Sequence, residues 1–424
     1  MTDFTAPADR SAGLNKAVPV ASLQRLALWL LVFVSFIAII EPSPYEVMFV
    51  VTAFVFAVTG IRFSRGAAPL MMLLLLYNLG GVTALIPVIH DRDALTFVII
   101  SCYLAVTSVF FAGILADDTQ ARLHTIRRAW VGAAVFASIA GILGYADIGG
   151  LGELFSRYGT RASGTFKDPN VLGPFLVPPA VMMIQNYLVG EQRRPLLSLA
   201  LLVTILAGIF LSFSRGAWGT AAAAVLMTAG LTFLTTRHSR IRARIITLSL
   251  LGIVIFAILI AIALSIDSVR SVFEQRFSLD QSYDVGETGR FGNQMRAISR
   301  LLTEPLGFGP LRFRFFYPED PHNVYVNAFA SYGWLGGLSY FALMAATIWI
   351  GWSMIWKQTP WQSMAIAFWS ATFMTILQGV QIDTDHWRHF YLLIGATWGI
   401  AIATARYEAQ QRMQRDYLRT ITQA

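Results

Sequence analysis

Residues 328–352 read AFASYGWLGGLSYFALMAATIWIGW, an apolar stretch of 25 residues without a charged side chain. A helix needs about 20 mostly apolar residues to cross the hydrocarbon layer of a membrane, because lipid offers no partner to unpaired backbone groups. The stretch therefore predicts a membrane-spanning helix. The preceding residues, 318–327, read PEDPHNVYVN and place His322 where the chain enters the membrane.

The composition of the whole chain agrees with this prediction. Of the 424 residues, 56% are hydrophobic and 13% are charged, and the mean hydropathy is +0.59. That is more apolar surface than one soluble core of this size buries. We expect an all-α integral membrane protein with about 12 transmembrane helices, near 22–40, 46–62, 69–90, 94–116, 129–146, 171–189, 196–212, 215–235, 244–266, 323–352, 362–381 and 388–405.

The distribution of Lys and Arg predicts the orientation of these helices. If both termini are cytoplasmic, 19 of the 32 basic residues lie inside, as the positive-inside bias requires. The chain then divides into a cytoplasmic tail (1–21), transmembrane helices 1–9 (22–266), a periplasmic loop (267–321), helices 10–12 (322–405) and a cytoplasmic tail (406–424). The basic pI near 9.7 suits anionic lipid headgroups, and no motif predicts binding to nucleic acid.

The other 13 basic residues fall outside, which the bias normally disfavours. One interpretation is that they are solvated charges of long loops. The other is that they bind an anion on the outer face, and for the set as a whole we favour this second interpretation. They comprise Arg92, Arg157, Arg161, Lys167, Arg215, Arg388 and seven residues between Arg270 and Arg314.

Three outer segments could hold such an anion. The loop LGELFSRYGTRASGTFKDPNVLG (151–173) could present backbone N–H groups and guanidinium groups to a phosphate, or be a connector with an Asn170 cap. In LSFSRGAWGT (211–220), Arg215 is a ligand at the helix mouth or extends to the interface. The periplasmic loop predicts an amphipathic helix on the membrane surface, ended by PLGFGP (305–310). Its apolar face would carry Phe291, Met295, Ile298 and Leu302, while Arg296 and Arg300 face away.

Several of these motifs, taken together, resemble the O-antigen ligase and O-antigen polymerase superfamily. They are GTFKDPNVLG, FSRGAWG, the Gly-Arg pair before a surface helix followed by PLGFG, and HNVYVNAFASYGWLGG. The resemblance implies a GT-C-like glycosyltransferase of the bacterial inner membrane that acts in lipopolysaccharide or exopolysaccharide biosynthesis. Its donor would be a saccharide on undecaprenyl pyrophosphate, and its acceptor a saccharide or the lipid A core. The family is thought to need no metal and to invert the anomeric centre.

The resemblance also implies roles for particular residues. His322, Arg215 and Arg290 match the family's essential histidine and arginines, and Arg161 is a weaker match. Further candidates for binding the pyrophosphate or glycan are Arg157, Lys167, Asn323, Arg312 and Arg314.

The chemistry of glycosyl transfer suits these residue types. Cleavage of a sugar–pyrophosphate bond leaves negative charge on phosphate, which guanidinium groups can hold by paired hydrogen bonds. A neutral histidine can accept the proton that the acceptor hydroxyl loses. The alternative for His322 and Asn323 is that they only cap the following helix.

Other interpretations stay open at this point. Glu287, Asp320, Asp383 and Asp385 are predicted outside and compete for the role of base, and Asp383-Thr384-Asp385 imitates a metal-binding Asp-x-Asp motif. A transporter would show related halves and polar residues near mid-membrane, and a flippase would need a cationic central cavity. Ligase and polymerase share a donor and differ only in the acceptor.

Overall fold

The computed structural model describes residues 11–157, 160–277, 289–318 and 320–423. Within these ranges the chain forms 15 α-helices and one short antiparallel ribbon. The elements are α1 (Ser11–Phe33), α2 (Pro44–Thr59), α3 (Ala68–Leu85), α4 (Arg92–Asp117), α5 (Thr119–Tyr145), α6 (Gly152–Phe155), β1 (Ser156–Arg157), β2 (Arg161–Ala162), α7 (Pro169–Val189), α8 (Pro195–Leu211), α9 (Arg215–Thr235), α10 (Ser239–Leu264), α11 (Asp267–Phe277), α12 (Arg290–Leu301), α13 (Val324–Ile355), α14 (Gln362–Gln378) and α15 (Arg388–Gln423).

The helices confirm an all-helical membrane protein. Eight of the described helices are long and apolar enough to cross a membrane, and α2 and α8 are shorter apolar helices. Every one of the predicted spans coincides with a helix, although the number of actual crossings stays a prediction. Two helices extend into the predicted cytoplasmic tails, because α1 begins at Ser11 and α15 continues to Gln423. At 1.5 Å per residue α15 is roughly 54 Å long, well beyond the thickness of a bilayer.

Side-chain caps mark one end of the helix bundle. Helices α2, α4, α7, α9 and α13 each begin at a polar residue whose side chain accepts a backbone N–H of the first turn. Ion pairs and loop contacts join these ends, and we call this side of the bundle the entry face. The cap of α7 is Asp168, two residues before the Asn170 that the connector alternative assigned, because Pro169 occupies the first helical position.

Helix α13 is interrupted at Gly333, which has a positive φ of 65°. The segment PLGFGP (305–310) fills the interruption. Trp334 N–H donates to the Pro305 carbonyl (2.9 Å), and the Ala330 carbonyl accepts from the N–H groups of Phe308 (2.7 Å) and Gly309 (3.1 Å). Non-helical backbone next to a membrane span is tolerated only where its polar groups are paired in this way. The helix predicted near 323–352 is present as α13, and its interruption at Gly333 was not anticipated from the sequence.

Glycine is required at the contact between this segment and α13. Gly307 has φ of +68°, and a Cβ atom there would lie 2.4 Å from the Phe329 carbonyl oxygen. We expect Gly307→Ala to lower the free energy of unfolding by at least about 2 kcal/mol, because a left-handed alanine and a backbone clash add up. The measurement is thermal unfolding in detergent. Gly219→Ala is the matched control, since Gly219 lies in α9 with nothing within 4 Å of a new Cβ. An equal loss of unfolding free energy in both variants would contradict the requirement for glycine at position 307.

Helix α12 lies where the sequence predicts an amphipathic helix. Phe291, Met295, Ile298 and Leu302 are exposed, whereas Ala297 and Leu301 are buried against α13. Arg296 packs over the Tyr317 ring and Arg300 over the Phe316 ring. Trp334 Nε1 donates to the Leu301 carbonyl at 2.8 Å, so the end of α12 is tied to the kink of α13. An exposed apolar side on a fixed helix suits the membrane surface.

Candidate active site

His322 lies directly before the cap of α13 in a strained backbone conformation. Its φ is +43°, a left-handed conformation that non-glycine residues rarely adopt. Its side chain is half-buried, and Asn323 accepts the N–H groups of Tyr325 (3.0 Å) and Val326 (3.2 Å). Asn323 is thus the helix cap, which leaves His322 outside the capping arrangement. Strain of this kind persists only where surrounding contacts impose it, and it concentrates at functional sites.

Two hydrogen bonds from other elements hold this conformation. Gln294 of α12 is buried and donates from Nε2 to the Pro321 carbonyl at 2.6 Å. Val324 N–H donates to the Gly379 carbonyl at the end of α14 (2.8 Å). The backbone N–H groups of Asn323 and His322 also act on the Asp383 carboxyl group, where they oppose the rise of its pKa. The loop that carries His322 is therefore held from two sides, by α12 and by the α14–α15 loop.

The α14–α15 loop contains the two aspartates that the sequence offered as alternatives. Burial, followed by the charges of Asp385 and Asp320, raises the pKa of Asp383 well above its usual range. Asp385 is buried and lies 3.1 Å from His386 Nδ1, and His386 Nε2 lies 3.0 Å from the Phe97 carbonyl oxygen. Burial disfavours the charged form of His386, but the Asp385 charge and hydrogen bond outweigh it and raise its pKa. Asp385 thus has a partner within the loop, whereas Asp383 Oδ1 has no hydrogen-bond partner among the described residues.

Arg161 lies on β2 and is buried, with only 4% of its surface exposed. It donates from Nε to the Ser212 carbonyl (3.0 Å) and from Nη2 to Asn170 Oδ1 (2.8 Å). The first acceptor belongs to the α8–α9 turn and the second to the first turn of α7. The guanidinium group therefore joins the beginnings of α7 and α9, and both acceptors are neutral.

Arg215 is the first residue of α9, immediately after the cap residue Ser214. Gly216 packs against the Gln378 side chain of α14, and Thr220 Oγ1 donates to Gln378 Oε1 at 3.1 Å. The carbonyl of the next residue, Gly379, accepts from Val324. Through α14, the beginning of α9 is thus connected to the His322 loop.

Arg290 is the first residue of α12, one helical turn before Gln294, which holds the His322 loop. Its side chain and Glu287 lie outside the described part of the chain. The contacts of Arg161, Gln378 and Gln294 together bring the segments that carry Arg161, Arg215, Arg290 and His322 to one region of the entry face. Three capped helices, α7, α9 and α13, begin in this region, and helix N-termini favour negative charge.

Other basic residues of the entry face have carboxylate partners in the protein. Arg388 pairs with Glu46 at 2.5 Å, Arg312 with Asp91 at 2.9 Å and Lys167 with Glu41 at 2.7 Å. Arg270 pairs with Glu274 at 2.8 Å. The expectation that one bound anion explains all the outer charges is therefore too broad. Arg157 donates from Nε to the Lys167 carbonyl (3.1 Å), and Arg314 is exposed. Contact of Arg157, Lys167, Arg312 and Arg314 with a substrate stays a prediction.

The structure also reveals site residues that the sequence did not indicate, chiefly Gln294 and Gln378. Both are buried amides whose partners lie more than 20 residues away in sequence. In the sequence they appear only as a glutamine in an apolar helix and a glutamine in an amphipathic helix. Such glutamines are too common to identify site residues. Within the described ranges, no group of three or more His, Cys, Asp or Glu side chains is arranged to hold a metal ion.

Comparison with known proteins addresses the resemblance. No curated protein matches the chain significantly in sequence. Residues 200–341 match the protein family described as O-antigen ligase. This segment contains Arg215, Arg290 and His322, and the match indicates a glycosyltransferase of ligase or polymerase type that acts on lipid-linked glycans. The predicted resemblance to the O-antigen ligase and polymerase superfamily is confirmed over residues 200–341, about a third of the chain.

Proposed function

We propose that the protein is a metal-independent, inverting glycosyltransferase that moves a saccharide from a polyprenyl pyrophosphate to an acceptor hydroxyl. The observation that carries this proposal is the contact chain that brings the segments of Arg161, Arg215, Arg290 and His322 to one region of the entry face. A lipid-borne donor reaches such a region from the membrane, and a water-borne acceptor reaches it from solution.

Arg215 and Arg290 hold the pyrophosphate in this proposal. The bond between the anomeric carbon and the pyrophosphate oxygen breaks with its electron pair remaining on the oxygen, so negative charge grows there. Guanidinium groups donate paired hydrogen bonds to phosphate oxygens and stabilise that charge. The beginnings of α7, α9 and α13 add the partial positive charge of their backbone N–H groups.

His322 is the general base. The acceptor oxygen forms its bond to the anomeric carbon on the side opposite the leaving pyrophosphate, which inverts the configuration. Its proton passes to the imidazole, so the products are the glycosylated acceptor, polyprenyl pyrophosphate and a protonated histidine that returns its proton to water. The fixed left-handed backbone at His322 supports this role, because a base must be held in a defined position.

The entry face is the periplasmic side in this proposal, and the protein lies in the bacterial inner membrane with both termini cytoplasmic. The blocks TRHSRIRAR (236–244) and RYEAQQRMQRDYLR (406–419) support this orientation, since both lie at the opposite ends of helices from the entry face. We favour ligation of O antigen to lipid A core. The second candidate is polymerisation, with another lipid-linked repeat as acceptor, because the matched family is compatible with both reactions.

The test is transfer by the purified full-length protein. We expect product from a polyprenyl-pyrophosphate-linked glycan and a lipid A core acceptor, at the same rate with and without EDTA, because arginines take the place of a cation at the leaving group. Activity that is lost in EDTA and restored by magnesium or manganese would contradict the proposal and favour Asp383 and Asp385 as ligands. Product with only a second lipid-linked repeat as acceptor would identify a polymerase.

A cellular measurement separates the two acceptors independently. In a strain that lacks the protein, a ligase predicts long glycan chains that remain on the polyprenyl carrier and are missing from lipopolysaccharide. Accumulation of single repeats on the carrier would instead identify the polymerase. The readout is the length distribution of carrier-linked and lipopolysaccharide-linked glycans, with the strain carrying the restored gene as control.

A further inference from the structure

A cavity lies at the opposite end of the bundle from the entry face. It measures about 420 Å³ and is lined by α5, α7, the α7–α8 loop and the beginning of α8. Arg127 and Arg128 of α5, Asn186 of α7 and Gln192 of the loop form its polar end. Asn186 lies near the end of α7, whose first turn holds Arg161, so the length of α7 separates the two sites.

The polar end of the cavity is cationic, and two hydrogen bonds hold some of its side chains in place. Arg127 Nη1 donates to Asn186 Oδ1 at 2.7 Å, and Ser198 Oγ donates to Gln192 Oε1 at 2.8 Å. Among the described residues, neither Arg127 nor Arg128 forms an ion pair within 4.0 Å. The charge of Glu191 attracts Arg127 only from a longer distance. Two adjacent guanidinium groups without a carboxylate in contact favour a bound anion.

The remaining lining of the cavity is apolar and follows one side of α5. Val131, Val135 and Phe136 come three to eight positions after Arg128, so the apolar lining reaches about 12 Å deeper along the helix. Leu201 of α8 lines the opposite wall, and 55% of the Phe136 surface is exposed to the outside of the bundle. The cavity is therefore a groove with a cationic end and an apolar continuation that opens towards lipid.

We propose that this groove binds one anionic phospholipid of the cytoplasmic leaflet, with its phosphate at Arg127 and Arg128 and the first part of an acyl chain beside Val135. Inorganic phosphate would contact only the cationic end and leave the apolar part of the groove unfilled. A zwitterionic lipid lacks the net negative charge that the two arginines attract. Arginines near the cytoplasmic surface attract anionic headgroups by electrostatics. This inference is independent of the proposed transferase reaction.

Native mass spectrometry of the full-length protein in detergent tests the proposal, with phosphatidylglycerol and phosphatidylcholine as probes. We expect preferential retention of one phosphatidylglycerol. In the double variant Arg127→Gln/Arg128→Gln its affinity should fall about 30-fold, because each arginine near an anionic headgroup contributes about fivefold. Arg237→Gln/Arg240→Gln is the matched control, since these two arginines are exposed on the same side outside the cavity, and it should change little.

Two further variants separate the contributions. Arg127 also contacts Asn186, so Arg128→Gln alone is included and should lower the affinity about fivefold without that structural effect. Val135→Trp fills the groove and should remove the retained lipid while leaving both charges in place. Equal retention of phosphatidylcholine, an unchanged affinity in either variant, or binding of inorganic phosphate without phosphatidylglycerol would overturn the proposal.

Discussion

Replacement of His322 by asparagine is expected to lower the rate of glycosyl transfer by 10²- to 10⁴-fold, the typical contribution of a general base. Asparagine is the sharper test than alanine, because it tolerates the left-handed backbone that His322 adopts and cannot accept the proton. The variant should therefore keep its midpoint of thermal unfolding and its donor binding while product formation is lost. His322→Ala should lose activity to the same extent and some stability as well.

His90→Ala is the matched control for this experiment. His90 is exposed in the loop before α4, on the same face as His322, but it has no place in the contact chain that forms the site. Its replacement should leave the transfer rate unchanged. If His322→Asn forms product at a near-normal rate, the base is another group, and His322 has only a role in the loop.

The helices could be predicted from the sequence because each depends on a local property. An apolar run of sufficient length must be helical in lipid, and the cap residues Asp91, Ser214 and Asn323 stand directly before such runs. The amphipathic side of α12 likewise follows from the spacing of four apolar residues. Boundaries were less predictable, since the polar continuation of α15 to Gln423 has no hydropathy signal.

The arrangement of the site could not be predicted in the same way, because it depends on pairs that are distant in sequence. Val324 N–H donates to the Gly379 carbonyl, 55 positions away in the chain, and Gln294 donates to the Pro321 carbonyl, 27 positions away. The interruption of α13 at Gly333 was also missed, since one glycine among several in an apolar run does not indicate which one takes a positive φ. It is explained only by the PLGFGP segment that pairs with the freed backbone groups.

The charge of the outer basic residues did not identify the candidate ligands among them. The outer basic residues were grouped as one anion-binding set, yet Arg388, Arg312 and Lys167 have carboxylate partners on other segments of the entry face. Those partners, Glu46, Asp91 and Glu41, are remote in sequence, so no local pattern could have separated structural arginines from candidate ligands. The motif match retained Arg161 and Arg215, whose segments do converge.

Lysine at position 215 or 290 is expected to lower kcat by about 10²- to 10³-fold, the usual cost of removing one donor to a developing negative charge. Lysine keeps the positive charge but cannot make the two parallel hydrogen bonds of a guanidinium group. Since the charge on the leaving pyrophosphate grows as the bond breaks, kcat should fall more than the apparent affinity for the donor. Arg92→Lys is the matched control, because Arg92 is exposed on the entry face at the first turn of α4.

The separate effects on kcat and KM distinguish substrate binding from stabilisation of the transition state. An interaction made equally with substrate and transition state changes KM and leaves kcat unchanged, whereas one that strengthens in the transition state changes kcat. Arg215→Lys and Arg290→Lys should both show the second pattern. A higher KM for the donor with an unchanged kcat would mean that these arginines only bind the pyrophosphate, and stabilisation of the leaving group would then have to come from the N-termini of α7, α9 and α13 or from Arg161.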